Sequence, residues 1–152
     1  MTERLRATRP AWFVGAAYGG TDDHAAQFVA DGVWRNGYRD KYHELVLSML
    51  PGDRIAIKAS YTRKRGLPFD AQGEFVSVIG IKAVGRITEN TGDGQNVRVA
   101  WAESGPKREW YFFTNRATVW RVEPGHWRAD GLIAFAFEGK AQDIERFRDA
   151  GG

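Results

Sequence analysis

Trp34 stands in the segment Asp31-Gly32-Val33-Trp34-Arg35-Asn36-Gly37-Tyr38, where one indole is set among backbone amides, a guanidinium and a side-chain amide. That combination suits the holding of a flat heterocycle, with stacking on the ring and hydrogen bonds to the edge. The other reading is that Trp34 plugs the corner between a helix and a strand, with Asn36-Gly37 as an ordinary turn. Asp22-Asp23 offers two carboxylates for acid and base work, or, standing just before Ala25 and Phe28, a helix cap. Basic residues gather at Arg35, Arg39 and Lys41, and again at Arg63-Lys64-Arg65. On one face they form a phosphate-contacting rim; apart, they are solvated loops.

The sets that catalysis needs are missing. His24, His43 and His126 lie far apart and have no cysteine partners, so no zinc spacing exists and no metal is expected. Gly92-Asp93-Gly94-Gln95-Asn96 lacks a third glycine and joins two strands, where a dinucleotide fold would open a helix. No Gly-Lys-Ser/Thr phosphate loop occurs. Ser48, Ser60, Ser77 and Ser104 sit outside any nucleophile-elbow pattern. With six tryptophans and no catalytic set, binding is favoured over catalysis, and no cofactor is expected.

At 152 residues, 43% hydrophobic, 13% aromatic and 27% charged, the chain suits one folded domain with a proper core. No apolar run approaches the roughly 20 residues that span a bilayer. Met1 to Pro10 is too basic and polar for a signal peptide, so the expected compartment is the cytoplasm. The lack of cysteine agrees with a reducing one. A net charge of +3 argues only modestly for a polyanionic partner, and the clustering of the cations says more.

The elements that must position these groups follow from periodicity. Residues 1–10 read as a flexible arm, and residues 11–150 as a single domain. Ala11 to Ala17 is a buried first strand, and a helix capped by Thr21 or Asp22 runs to Asp31. Lys41 to Leu50 holds a helical turn, and Ile55 to Thr62 and Val76 to Thr88 are strands. The Gly92-Asp93-Gly94 turn returns the chain as Asn96 to Ala102. Glu109 to Phe113, Thr118 to Val122 and Leu132 to Phe137 are shorter strands, and Gln142 to Asp149 is a closing helix. Trp12, Trp101 and Trp120 lie in apolar strands and read as core. The fold class is α+β, a small curled β-barrel of about six strands with helices packed outside. Gly151-Gly152 follows the last helix without a stop of its own, as expected of a chain cut at a linker from a longer protein.

The order strand, helix, Gly32-Val33-Trp34, helical turn, Pro51-Gly52-Asp53, apolar strand resembles the front half of YTH and EVE domains of the PUA superfamily. Arg35-Asn36-Gly37-Tyr38 is close to a segment of EVE domains, and Val97-Arg98-Val99-Ala100-Trp101 resembles a YTH strand that ends on a core tryptophan. Across nearly the whole chain the sequence also resembles the amino-terminal domains that precede McrB-type AAA+ motors in modification-dependent restriction systems. The phrases that carry this likeness include Trp12-Phe13-Val14-Gly15-Ala16, Asp40-Lys41-Tyr42, Gly52-Asp53-Arg54-Ile55-Ala56-Ile57-Lys58, Leu67-Pro68-Phe69-Asp70, Thr88-Glu89-Asn90, Arg108-Glu109-Trp110-Tyr111-Phe112 and Thr118-Val119-Trp120-Arg121-Val122.

The resemblance implies a non-catalytic DNA reader of a modified base, with nucleotide hydrolysis and cleavage left to an AAA+ motor and a nuclease subunit. A modified cytosine or adenine would be flipped from the duplex into an aromatic pocket. Trp34 would be one wall. The second wall of a YTH cage has no aromatic counterpart in Glu89 to Asn96, so Tyr18, Tyr61 and Trp110 stand as substitutes. Asp22, Asp23, Asn36 or Ser60 would bond the Watson-Crick edge. Arg35, Arg39, Lys41, Arg63, Lys64 and Arg65 would hold phosphates. An RNA or modified-RNA binder of the same fold, and a protein-interaction domain, remain the alternatives.

Overall fold

The computed structural model describes residues 9–18, 22–102 and 106–150. Among the described residues nine strands and four helices follow in chain order: β1 (Ala11–Gly15), β2 (Ala17–Tyr18), β3 (Asp22–Asp23), α1 (Ala25–Asp31), β4 (Val33–Arg35), α2 (His43–Leu47), β5 (Arg54–Arg63), β6 (Val76–Asn90), β7 (Asn96–Trp101), β8 (Arg108–Tyr111), β9 (Val119–Val122), α3 (Trp127–Glu138) and α4 (Ile144–Asp149). Seven strands make one sheet in the order β4-β7-β6-β5-β1-β9, with β8 on the other half of the long β6, while β2 and β3 form a separate ribbon. Strand β1 runs parallel to β5, with Gly15 opposite Lys58, and the other pairings are antiparallel.

Alternation along β1 and β5 divides the core in two. Trp12, Val14, Ile55 and Ile57 face one side, where Phe28 of α1, Val46 of α2, Met49 and Trp34 cover them. Ala11, Phe13 and Ala56 face the other, under Leu132, Ile133 and Ala136 of α3 and Phe147 of α4. The fold is therefore a mixed α/β sheet clad on both faces. Among the described residues no strand pairing returns β9 to β8 or β4, so the sheet is open where a closed barrel was expected.

One expectation about elements is corrected. Leu132 to Phe137 is the second half of helix α3, not a strand. His126 caps that helix by accepting from the Arg128 amide at 3.2 Å, and the buried residues Ala129, Leu132, Ile133 and Ala136 recur at helical spacing. Val33–Arg35 is strand β4, with Trp34 opposite Val97 of β7. Gly32 makes the corner between α1 and β4 by adopting a φ of 68°, and its amide closes the helix on the Phe28 and Val29 carbonyls.

The chain start is also tied down further than residue 10. Arg9 bonds the buried Asp53 carboxylate at 3.0 and 2.7 Å, and the Trp12 indole and the Leu50 amide donate to the same carboxylate at 3.0 Å each. This cluster locks the turn before β5 onto β1. The remaining residues of the expected arm, 1–8, lie outside the described residues, as do Thr21, Ser104 and the terminal Gly151-Gly152.

Candidate functional site

Beyond Lys58, β1 has ended and β5 pairs only with β6 among the described residues, which leaves one edge of Ala59 to Arg63 without a strand partner. Successive residues of β5 there face opposite ways. Ala59 and Tyr61 lie on one face, and Gly80 of β6 stands opposite Ala59. A side chain at Gly80 would collide with the Lys107 stem at 2.7 Å and the Tyr61 hydroxyl at 2.9 Å, so glycine is what lets these groups cross the sheet there. The Lys107 ammonium rests over the Tyr61 ring, 4.7 Å from its centroid.

Tyr61 is anchored at its far end. Its hydroxyl donates to Glu109, which also accepts from Arg63 and, at 3.2 Å, from the Tyr111 hydroxyl. Burial, reinforced by the hydrogen bond to Glu109, pushes the Tyr61 phenol well above the usual tyrosine range. Burial alone would raise the Glu109 carboxyl, but the donors around it outweigh that and hold it below the usual range. Arg63 further donates to the carbonyls of Arg65 and Gly66 at 3.1 and 2.8 Å. It is a brace for the hairpin and for Tyr61, whereas Lys64 and Arg65 are exposed, the Lys64 ammonium lying over the Phe75 ring at 5.3 Å.

Two positions beyond Gly80, Lys82 is left without a cross-strand partner where the register shifts between Ile57 and Lys58. Its ammonium pairs with Asp23, whose other oxygen accepts from the Ala25 amide at 2.9 Å. Burial raises the Asp23 carboxyl and these two donors more than offset it, so the group sits below the ordinary range. The side chains of Tyr18 and Asp22 lie outside the described residues, although their backbones form the β2–β3 ribbon.

The other proposed site residues fall elsewhere. Trp34 is fully buried, and its indole N–H donates to the Gly15 carbonyl at 2.9 Å, which leaves no ring face for a ligand in this arrangement. Trp110 is equally buried, donates to the Phe113 carbonyl at 2.9 Å, and packs on Phe147 with ring centroids 4.7 Å apart. Asn36 spends both ends of its amide on its own loop, donating to the Lys41 carbonyl at 2.8 Å and accepting from the Tyr38 amide at 3.0 Å. Ser60 faces away from Tyr61 and donates to the Asn115 carbonyl at 3.0 Å. Arg35, Arg39 and Lys41 are exposed around β4, with the Lys41 ammonium over the Tyr38 ring at 5.1 Å.

Sequence reasoning passed over Lys58, Lys82 and Lys107. A lysine inside Ile55-Ala56-Ile57-Lys58-Ala59 breaks an apolar run, and that was the signal for the first. Lys82 depends on a register shift and Lys107 on the reach of a side chain across Gly80, neither of which periodicity carries. No group of three or more His, Asp or Glu side chains placed to hold a metal ion occurs among the described residues. No described helix is long and apolar enough to cross a membrane. Comparison with protein-family models, with curated proteins and with solved structures found no match.

Proposed function

We propose that this chain is a cytoplasmic DNA-binding reader of a modified base, of the EVE/YTH-like kind in the PUA superfamily that its sequence resembles. It takes a flipped, modified cytosine or adenine on the Tyr61 face of β5 and leaves hydrolysis and cleavage to an AAA+ motor and a nuclease subunit. The observation that carries this reading is the Lys107 ammonium lying over an anchored tyrosine ring on a strand with one unpaired edge. A flexible lysine stem is a displaceable occupant. A base that moves it aside gains a ring whose orientation is already held by Glu109, and the freed ammonium becomes a phosphate contact. Stacking of this type returns roughly 1 to 3 kcal/mol per base, enough to offset much of the few kcal/mol that extrusion costs.

Asp23 supports the same reading, because a carboxylate oxygen suits the exocyclic amino group of cytosine or adenine. Lys64, Arg65, Arg39 and Arg35 supply the sequence-independent charge. Two register shifts, of the kind that bend strands, and the approach of Phe113 after β8 to Trp120 of β9, at 5.3 Å between centroids, support a PUA-like barrel. The test is a binding screen of duplexes that each carry one modified base, in competition with unmodified duplex and with plain RNA. A preference for at least one modified duplex is expected. Equal binding of RNA would move the reading to an RNA module, and no binding at moderate salt would leave a protein-interaction domain.

A further inference from the structure

On the opposite face of β5 from Tyr61, Lys58 is only 4% exposed. Its ammonium donates to the Asn115 carbonyl at 2.8 Å and to the Ser60 hydroxyl at 3.1 Å. Both acceptors are neutral, and an ammonium carries three donors, so one N–H has no protein acceptor among the described residues. None of the ion pairs among the described residues involves Lys58. The charge that acts on it is Arg116, of the same sign, in the loop between β8 and β9. That loop is held by the Ala117 amide donating to the Asn115 side chain at 2.7 Å, and Arg116, the residue after the Asn115 carbonyl that Lys58 and Ser60 share, is exposed.

Burying an ammonium without a counter-charge is costly, and adding a second cation increases the cost. Two cations and a hydroxyl gathered about the Asn115 carbonyl, with no ion pair to Lys58 among the described residues, are complementary to a small oxyanion. We propose that Lys58, Ser60 and Arg116 form a phosphate site. The bound group accepts from the third Lys58 N–H, from the Ser60 hydroxyl turned away from the Asn115 carbonyl, and from the Arg116 guanidinium. The chemistry is that of a tetrahedral phosphate, free or as a nucleic-acid phosphodiester; the second source rests on the reader function proposed above. In that case the phosphate beside an extruded base sits on one side of β5 while the base lies on the other.

The experiment follows the Lys58 side-chain resonances by NMR while inorganic phosphate is added, with chloride at matched ionic strength as control. Phosphate is expected to raise the pH at which Lys58 titrates by about one unit or more, as an opposite charge in contact does, and chloride is not. Arg116→Ala, an exposed change that leaves the core untouched, should weaken the response at least several-fold, and Lys58→Met should abolish phosphate binding. No response to phosphate, or an equal response to chloride, overturns the proposal whether or not the protein binds DNA. A short unmodified duplex forms the second arm. If it shifts Lys58 as phosphate does, the source is the nucleic-acid backbone; if only inorganic phosphate does, the site stands and serves a free phosphate.

Discussion

The Trp34 indole N–H meets the Gly15 carbonyl at 2.9 Å, so the last residue of β1 and the middle residue of β4 are joined across one face of the sheet. The ring behind that bond is fully buried with Val97, Val14 and Phe28 in the same core cluster. Trp34→Ala should therefore cost about 3 to 5 kcal/mol of folding stability, the usual range for emptying a buried indole site. Trp34→Phe should cost less, losing the hydrogen bond and part of the volume. Chemical denaturation of the two variants measures both. A Trp34→Ala protein as stable as the wild type, yet unable to bind, would make Trp34 a ligand wall instead.

Asp53 is a second load on the fold, since four donors from Arg9, Trp12 and Leu50 converge on its buried carboxylate. Asp53→Ala leaves the Trp12 indole N–H unpaired and the part-buried Arg9 guanidinium with no counter-charge and only the Ser48 carbonyl, at 3.3 Å. A loss of about 3 to 5 kcal/mol is expected by thermal or denaturant unfolding.

The strands were legible because β1, β5, β6 and β7 alternate or run apolar between clear turns, and Gly92-Asp93-Gly94 marks its hairpin. Helix α3 was not. Leu132 to Phe137 is apolar at every residue, and only the helix start at His126 and the buried spacing separate helix from strand. Trp34 was legible as important but not as buried, since the same indole suits a pocket or a plug until β7 is seen beside it. Tyr61 was named among several aromatics; what singles it out, Gly80 and Lys107, comes from strands distant in sequence.

Arg63 and its two neighbours should behave differently. Replacing Lys64 and Arg65 together by alanine should flatten the slope of log affinity against log salt by up to about 2 while sparing any preference for modified DNA. Arg63→Ala should instead loosen Glu109 and Tyr61 and reduce that preference. Identical effects of the two variants would contradict this division.

Stability should also depend on pH through Lys58, which burial, aided by the Arg116 charge, lowers from 10.5 to about 8. Between those values the folded chain holds fewer protons at this site than the unfolded chain, so unfolding takes up a proton. Stability then rises with pH from about 8 until tyrosine ionisation begins near 10. Without phosphate, denaturation midpoints across that window should climb in the wild type and stay flatter in Lys58→Met.

The most direct measurement is the affinity of wild type, Tyr61→Ala and Tyr61→Phe for the best modified duplex and its unmodified twin. With Tyr61 as the stacking platform, Tyr61→Ala should weaken binding to the modified duplex by roughly 1 to 3 kcal/mol, about 5 to 150 fold, and Tyr61→Phe should recover much of that. Binding to the unmodified twin should change little in either variant. A folded Tyr61→Ala protein that keeps the full preference for the modified duplex would contradict the account.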